Sequence, residues 1–476
     1  MSLPINQIIN GDCLEVMKGF PDNSIDLLVT DPPYGISFMG KDWDRSIPSV
    51  EIWKQCLRVL KPGSFAFIMS ISRQDCLSRM IVNLEDAGFN TEFTSIYWAY
   101  ATGFPKAMNI GKAVDKKLGV TPEVVGKKTI DIGIQSGSIH SGRNNKLVEI
   151  DDTVVTSPQG KALNGSYAGF QPKPAVEIII VAMKPLSEKT YVEQALKNGK
   201  GVTWLDDCRI PYQSNDDLEQ RKRGILSSPP RGRNGIYGND KNDGLIDTDK
   251  YLNDKGRFPA NLLVSDDVLN DGKVLKSGIY VPSRDKLNRS GFPSDHNGYW
   301  DEGNRIKAPI YPNYGDEGSF SRYFDLDRWW DERVKQLPKD AQKTFPFLIV
   351  PKASSSERND GCEELPTVLK PSNMRTKNGT GVRSVEIGFP DTQVKNFHPT
   401  VKPIKLISYL ITLSSRENDI ILDPFLGSGT TVLACQIMSR RWIGIEINTD
   451  YYNIACKRVE PFTVQTRLDY TVEVVR

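Results

Sequence analysis

Residues Ile420-Ile421-Leu422-Asp423-Pro424-Phe425-Leu426-Gly427-Ser428-Gly429-Thr430-Thr431 read as a buried strand, a glycine loop and a helix that opens at Thr430. Gly427 and Gly429 let the backbone approach a ligand closely, and the start of the helix offers unpaired N–H groups. Three ligand loops share this geometry. A nucleoside triphosphate loop needs Gly-Lys-Ser/Thr, and no lysine follows Gly429. A dinucleotide loop needs a third glycine, and Val432 stands there. The remaining option is a loop for the methionine part of S-adenosylmethionine. The next strand, Trp442-Ile443-Gly444-Ile445-Glu446, ends in a carboxylate suited to a ribose diol.

Far away in the chain, the run Ile25-Asp26-Leu27-Leu28-Val29-Thr30 leads into Asp31-Pro32-Pro33-Tyr34. An apolar, β-prone strand here meets a stiff turn. Proline fixes φ and has no N–H, so the strand tip presents one carboxylate, outward carbonyls and one aromatic ring. Such a tip suits a planar amine: Asp31 and a proline-flanking carbonyl accept its two protons while Tyr34 stacks on its ring. An ordinary β-turn with Asp-Pro chemistry explains the tetrapeptide equally well when it is taken alone. The glycine loop breaks the tie.

Taken together, the motifs resemble those of the beta group of DNA amino-methyltransferases, which act on adenine N6 or cytosine N4. The likeness includes Asn10-Gly11-Asp12-Cys13 upstream of the Asp-Pro-Pro-Tyr segment and His398-Pro399-Thr400-Val401-Lys402-Pro403 before the glycine loop. Gly444-Ile445-Glu446-Ile447-Asn448 with Tyr451 also belongs to it. It covers roughly residues 5–118 and 396–460, as two halves of one domain. Thr102-Gly103-Phe104-Pro105-Lys106, Gly256-Arg257-Phe258-Pro259-Ala260-Asn261 and Pro351-Lys352-Ala353-Ser354 resemble a subset of that family. In this group the motif order is circularly permuted: the amine-binding segment comes first, a target-recognition region follows, and the cofactor loop lies near the carboxyl end.

Composition narrows the class. At 476 residues the chain exceeds one minimal domain, so a core with a large insertion is expected. A formal net charge of +2 gives no global field for a polyanion, and nucleic-acid contact has to come from a local patch. The seven cysteines form no Cys-x-x-Cys pair and the three histidines show no metal-ligand spacing, which predicts neither a zinc site nor a disulfide framework. No secretion signal or membrane-length apolar run is visible, so a cytoplasmic protein of a bacterium or its phage is expected, without a membrane partner.

Strands and helices alternate at both ends, which predicts a doubly wound, mostly parallel α/β sheet. Helices are expected near 50–60, 74–86 and 404–413, the last amphipathic, with strands at 64–70, 93–100 and 176–183. The domain reading is a catalytic half over 1–118, an inserted target-recognition region over 119–395 with a core strand at 174–184, a cofactor half over 396–460, and a tail over 461–476. The stretches 119–175 and 185–395 are rich in Gly, Pro, Asn, Ser and Asp and read as irregular loops. Open α/β sheets bind ligands at the carboxyl ends of their strands, so the two motifs are expected to meet there.

An exocyclic amine is a poor nucleophile because its lone pair is delocalised into the base ring. Accepting its protons at Asp31 and a carbonyl of the Pro32-Pro33 turn localises that pair, and direct transfer then needs positioning above all. Methylation of cytosine C5 needs a nucleophilic cysteine, and none of the seven has the Pro-Cys context for it. The target base has to leave the stack, at a cost of a few kcal/mol. Stacking on Tyr34 returns roughly 1–3 kcal/mol of this.

The resemblance assigns Asp12 and the Cys13 backbone to the cofactor's adenine edge, Glu446 to its ribose, and Thr400 and Lys402 to its methionine carboxylate. Phe425, Gly427 and Gly429 shape the loop, with Asp31, Asp423, Ser428 and Thr430 alongside. Arg221, Lys222, Arg223, Arg231 and Arg233 form an acid-free basic stretch suited to phosphates, though a solvated loop reads equally well. Tyr237, Tyr251, Trp300 and Trp329-Trp330 are aromatic residues that either stack in the gap of a flipped base or fill a small core. Within the family, Asp at position 31 leans toward adenine N6, with N4-cytosine as the alternative. A DNA-binding protein without turnover and an RNA methylase are the readings from other classes. Double-stranded DNA is the expected partner, with a cognate restriction enzyme and a homodimer as further possibilities.

Overall fold

The computed structural model describes residues 2–36, 44–99, 108–131, 147–170, 176–212, 214–219, 255–264, 275–276, 317–318, 324–336, 359, 362, 368–370, 392–394, 396, 398 and 400–472. Its centre is an eight-stranded sheet. In chain order the strands are β1 (Gln7–Asn10), β2 (Leu27–Thr30), β3 (Phe65–Ile71), β4 (Ile96–Ala99), β5 (Val176–Met183), β6 (Leu262–Val264), β7 (Ile420–Asp423) and β8 (Arg441–Glu446). Their spatial order is β1-β8-β7-β2-β3-β5-β4-β6. All neighbours pair parallel except β5, which runs antiparallel to both β3 and β4.

Central strands covered on both faces read as continuous apolar runs, because neither face meets water. Leu27–Thr30 and Ile420–Asp423 are buried along their whole lengths. One core lies under α1 (Cys13–Lys18), α2 (Val50–Val59) and α3 (Gln74–Ala87), where Met17, Trp53, Met80 and Leu84 pack on Leu28, Ile68 and Leu422. The opposite core includes Leu27, Val29, Phe67 and Ile421. The short helices α4 (Ile110–Lys117), α5 (Pro158–Ala162) and α6 (Tyr191–Asn198) and the 3-10 turn Leu205–Cys208 belong to the connecting stretches.

The middle of the chain differs from the sequence expectation in three ways. Glu123–Asp131 and Leu147–Val154 pair antiparallel where irregular loops were expected. Leu262–Val264 joins the main sheet beside β4, so residues assigned to the insertion complete the catalytic core. Helix α7 (Leu326–Gln336) packs on α8 (Ile404–Ser414), and every residue of α8 is buried. Here the expected amphipathic helix has no wet face. Trp329 crosses Tyr409 edge-on at 4.8 Å and donates from Nε1 to the Asp207 carbonyl at 3.0 Å. Even Lys405 is buried, its ammonium paired with Asp327. Trp329 and Trp330 are therefore core residues and are not available to wedge a base stack. The last helix, α9 (Thr430–Ile437) aside, is α10, which spans Thr449–Val472 and passes through the expected tail boundary at 460.

The edge of the sheet remote from the motifs carries a buried ion network. Asp26, 3% exposed, accepts from Lys61 at 2.6 Å and Lys200 at 2.9 Å, and Lys200 also reaches Asp419 at 2.9 Å. Burial opposes the Asp26 charge, but Lys200, the Ile420 N–H and Lys61 outweigh it and hold the carboxyl below the usual value near 3.8. A depressed carboxyl contributes stability that is complete above the unfolded pKa and lost as pH falls through the folded one. Asp26→Asn is expected to cost about 2–4 kcal/mol at pH 7, the scale for leaving a buried ammonium short of a partner. Urea melts should show that gap narrowing below about pH 4, where wild-type Asp26 also becomes protonated.

Candidate active site

The two sequence motifs meet across adjacent strands. Leu422 pairs with Leu28 and Ile421 with Leu27, so β7 and β2 end side by side. Thr30, the last residue of β2, donates to Asp423 Oδ1 at 2.7 Å. Asp423 also accepts from the Phe425 N–H at 3.0 Å and from Thr431 Oγ1 at 2.6 Å. That carboxylate thus ties the amine-side strand to both arms of the glycine loop. Its burial pushes the pKa up to about 6, against the pull of the Thr431, Thr30 and Phe425 hydrogen bonds.

Pro32 and Pro33 follow β2 without an N–H, so the ladder ends and the chain turns outward. Asp44, buried, receives the N–H groups of Tyr34 at 2.7 Å and Gly35 at 3.0 Å and holds that turn. Asp31 is engaged at both oxygens. Oδ1 accepts from the Tyr34 hydroxyl at 2.5 Å, and Oδ2 accepts from Lys402 Nζ at 2.6 Å. Tyr34 is thus fixed at its phenol end, and its ring lies 5.5 Å from the Lys402 ammonium.

Lys402 is buried, bound to Asp31, and 3.4 Å from Glu177 Oε2, so its charge is paired at the tip of β2. Burial works against its charge, but Asp31 and Glu177 outweigh that and raise its pKa above the ordinary lysine value. Thr400, half-buried, has its N–H 3.4 Å from His398 Nδ1.

The glycines are required for a reason different from ligand approach alone. Gly427 has φ +58° and Gly429 φ +89°, conformations that side chains rarely adopt. A Cβ on Gly427 would lie 2.9 Å from His398 Nε2, and one on Gly429 would lie 3.2 Å from Ala455. The loop is packed against protein on that side. His398 stacks edge-on against Tyr451 at 4.4 Å. Arg458, buried on α10, donates to the Ser428 carbonyl at 2.6 Å and the Ser428 hydroxyl at 3.1 Å, with Thr430 Oγ1 at 3.4 Å. Gly429, the N-cap of α9, has no side chain to cap its first turn.

Glu446 closes β8 next to Asn10 of β1. Its oxygens accept from the Gly427 N–H at 2.7 Å and the Asn448 N–H at 2.8 Å, and burial pushes its pKa up to about 7 in spite of them. Asp12 caps α1 by accepting from the Leu14 N–H at 2.8 Å and is otherwise exposed. The Cys13 thiol is buried and pushed up to about 12, so it is no nucleophile at neutral pH. Phe425 packs against Trp53 with centroids 6.1 Å apart. The two halves therefore share one rim at the carboxyl ends of β1, β8, β7 and β2.

This is the arrangement expected of the beta-group enzymes, and a family model described as a DNA methylase matches residues 25–457. The chain belongs to that DNA methylase family. Among curated relatives, the Type II methyltransferase M.HindIII of Haemophilus influenzae is 48% identical over 65 residues, 14% of this chain and 21% of its own length. The DNA adenine methyltransferase YhdJ of Escherichia coli is 44% identical over 63 residues, 13% of this chain and 21% of its own. The aligned stretches thus span about a fifth of each relative. Among solved structures, the cytosine-N4-specific PvuII DNA methyltransferase overlays with a TM-score of 0.36 at 13% identity, covering 95% of this chain and 85% of its own. A DNA modification methylase from Thermus thermophilus, complexed with S-adenosyl-L-methionine, gives 0.32 at 14% identity, covering 96% and 94%. These scores are low, and membership of the family rests on the match over 25–457.

Three residues of the candidate site had no sequence signal. Asp44 lies in no motif, Arg458 looks like any helix arginine, and Glu177 looks like the polar start of a strand. The basic residues Arg221, Lys222, Arg223, Arg231 and Arg233 lie outside the described residues, as do Tyr237, Tyr251, Trp300, Thr102–Lys106 and Pro351–Ser354. Within the described Gly256–Asn261 segment, Arg257 is buried in a two-pronged pair with Asp217, at 2.8 and 2.5 Å, which makes it a structural residue.

Proposed function

We propose that this chain transfers a methyl group from S-adenosylmethionine to the exocyclic N6 of a flipped-out adenine in duplex DNA. The observation that carries the reading is the Thr30–Asp423 bond, which sets Asp31 and Tyr34 one strand from the glycine loop. The donor set suits S-adenosylmethionine. Glu446 is a buried acceptor for a ribose diol, and the first turn of α9, whose N-cap is Gly429, suits a carboxylate. Asp12, with one oxygen engaged in capping, keeps acceptor capacity for an adenine amine.

When bound, S-adenosylmethionine supplies a sulfonium methyl whose C–S bond breaks, with its electron pair left on sulfur, as the amine lone pair forms the N–C bond. Asp31 and a carbonyl of the Pro32-Pro33 turn orient the amine, and Asp31 takes the surplus proton and passes it to solvent. Tyr34, anchored through its hydroxyl, offers a ring for the base to stack on. Aspartate at position 31 favours adenine over cytosine within the family. Double-stranded DNA is the proposed partner, with a restriction enzyme of the same specificity and a homodimeric state as further expectations. A division into catalytic half, target-recognition insertion and cofactor half is retained, with Leu262–Val264 and α7 counted to the core.

The test is to methylate unmodified duplex DNA, digest it to nucleosides and weigh the products. N6-methyl-2′-deoxyadenosine supports the reading, N4-methyl-2′-deoxycytidine redirects it to the other base, and no methylated nucleoside overturns it. A pH dependence follows as well. Ribose hydroxyls donate, so they favour the ionised form of Glu446, whose pKa is about 7. Cofactor affinity should therefore strengthen as pH rises through that value, roughly fivefold to tenfold between pH 6 and 8. Calorimetric titration across that range should show the trend in wild type and a flat profile in Glu446→Gln.

A further inference from the structure

Glu177 belongs to no motif, yet it stands in the amine site because of strand direction. β5 runs antiparallel, so its beginning lies at the edge where the parallel strands end: Glu177 pairs with Ile71, the last residue of β3. Its side chain is 19% exposed, and its Oε2 is buried without a hydrogen bond while Lys402 Nζ waits 3.4 Å away. A buried carboxylate oxygen that has an ion-pair partner but no well-aligned hydrogen bond calls for a reason.

The charge count supplies one. Asp31 and Glu177 bring two negative charges and Lys402 one positive, so the cluster carries one surplus negative charge beside the amine position. At rest the ammonium lies on Asp31, at 2.6 Å, and blunts it as an acceptor. The amine nitrogen becomes cationic as the methyl arrives, and Asp31 must then accept a proton. A lysine end is flexible and its ammonium rotates among acceptors at little cost.

Building on the methyl-transfer function proposed above, we propose that Glu177 is a positioning residue that draws the Lys402 ammonium off Asp31 when the target amine engages that carboxylate. It acts through Lys402. The exchange keeps every group paired and makes no covalent change.

The test is single-turnover methyl transfer by the full-length chain on unmodified genomic duplex DNA, with radiolabelled S-adenosylmethionine. Glu177→Gln keeps shape and removes the charge, and its rate is expected to fall about tenfold or more with cofactor Kd within about twofold. In a Lys402→Met background the same substitution should have no further effect, since its route is gone. Glu177→Asp, which keeps the charge, should recover part of the rate and serves as the probe should Glu177→Gln fail to fold. A Glu177→Gln rate within about twofold of wild type, or full additivity with Lys402→Met, overturns the proposal. Absence of transfer by the wild type would overturn the methyl-transfer reading itself, which keeps the two failures distinct.

Discussion

Asp31→Ala is expected to reduce methyl transfer by roughly a thousandfold or more, the scale of losing a positioned proton acceptor. Asp31 is the one carboxylate at the tip of β2, and the Tyr34 hydroxyl and the Lys402 ammonium both converge on it. Its removal takes from the Tyr34 hydroxyl its short acceptor, with Lys402 Nζ still 3.4 Å away, and leaves Glu177 as the carboxylate beside Lys402. The fold should survive, because Lys402 keeps one carboxylate partner and Thr30 still joins β2 to Asp423. Cofactor affinity should stay within a few-fold of wild type, since Glu446 and the glycine loop are untouched. Wild-type turnover in the variant would show that the amine site has been placed wrongly.

Gly427→Val should sharply weaken cofactor binding for a reason that only the structure supplies. The backbone at 427 has φ +58°, where a β-branched residue is an outlier, at a cost of about 1–3 kcal/mol. Its Cβ would press on the His398 imidazole, which is held in turn by Tyr451. Either the imidazole or the loop has to shift, and a shift of the loop strains its hydrogen bond from the Gly427 N–H to Glu446. Calorimetry is expected to show at least a tenfold loss in S-adenosylmethionine affinity, together with a lower melting temperature. Pairing Gly427→Ala with His398→Ala separates the two causes: relief of the clash should restore part of the affinity, while the φ penalty stays. Unchanged affinity in Gly427→Val would exclude this loop from the cofactor site.

Much of the site was legible because its chemistry sits in contiguous motifs. A buried strand followed by glycines and a helix start has few physical uses, and the missing lysine and third glycine removed two of them. Asp31-Pro32-Pro33-Tyr34 was equally open to reading, since two prolines end a ladder whatever surrounds them. Helices α2 and α3 announced themselves through apolar spacing, and both appear within a residue or so of expectation. The strand Val176–Met183 appears where its apolar run predicted it.

Other features were hidden because they depend on what packs from a distance. The run Ile404–Ser414 was read as half-wet, and α9, the Leu205–Cys208 turn, β2 and α7, more than sixty residues upstream, together bury it completely. The motif around Lys402 gave no sign of its pairing with Asp31, 371 positions away. Local pattern thus determined the fold class, the sheet's central strands, the family and the two motifs of the site. Tertiary structure alone decided that β5 runs backwards, which brings Glu177 to the rim, and that Lys402 pairs with Asp31. The reason is physical: hydrophobic periodicity and turn chemistry act between near neighbours in the chain, whereas strand direction and the pairing of buried charges are settled only when distant segments compete for the same partners.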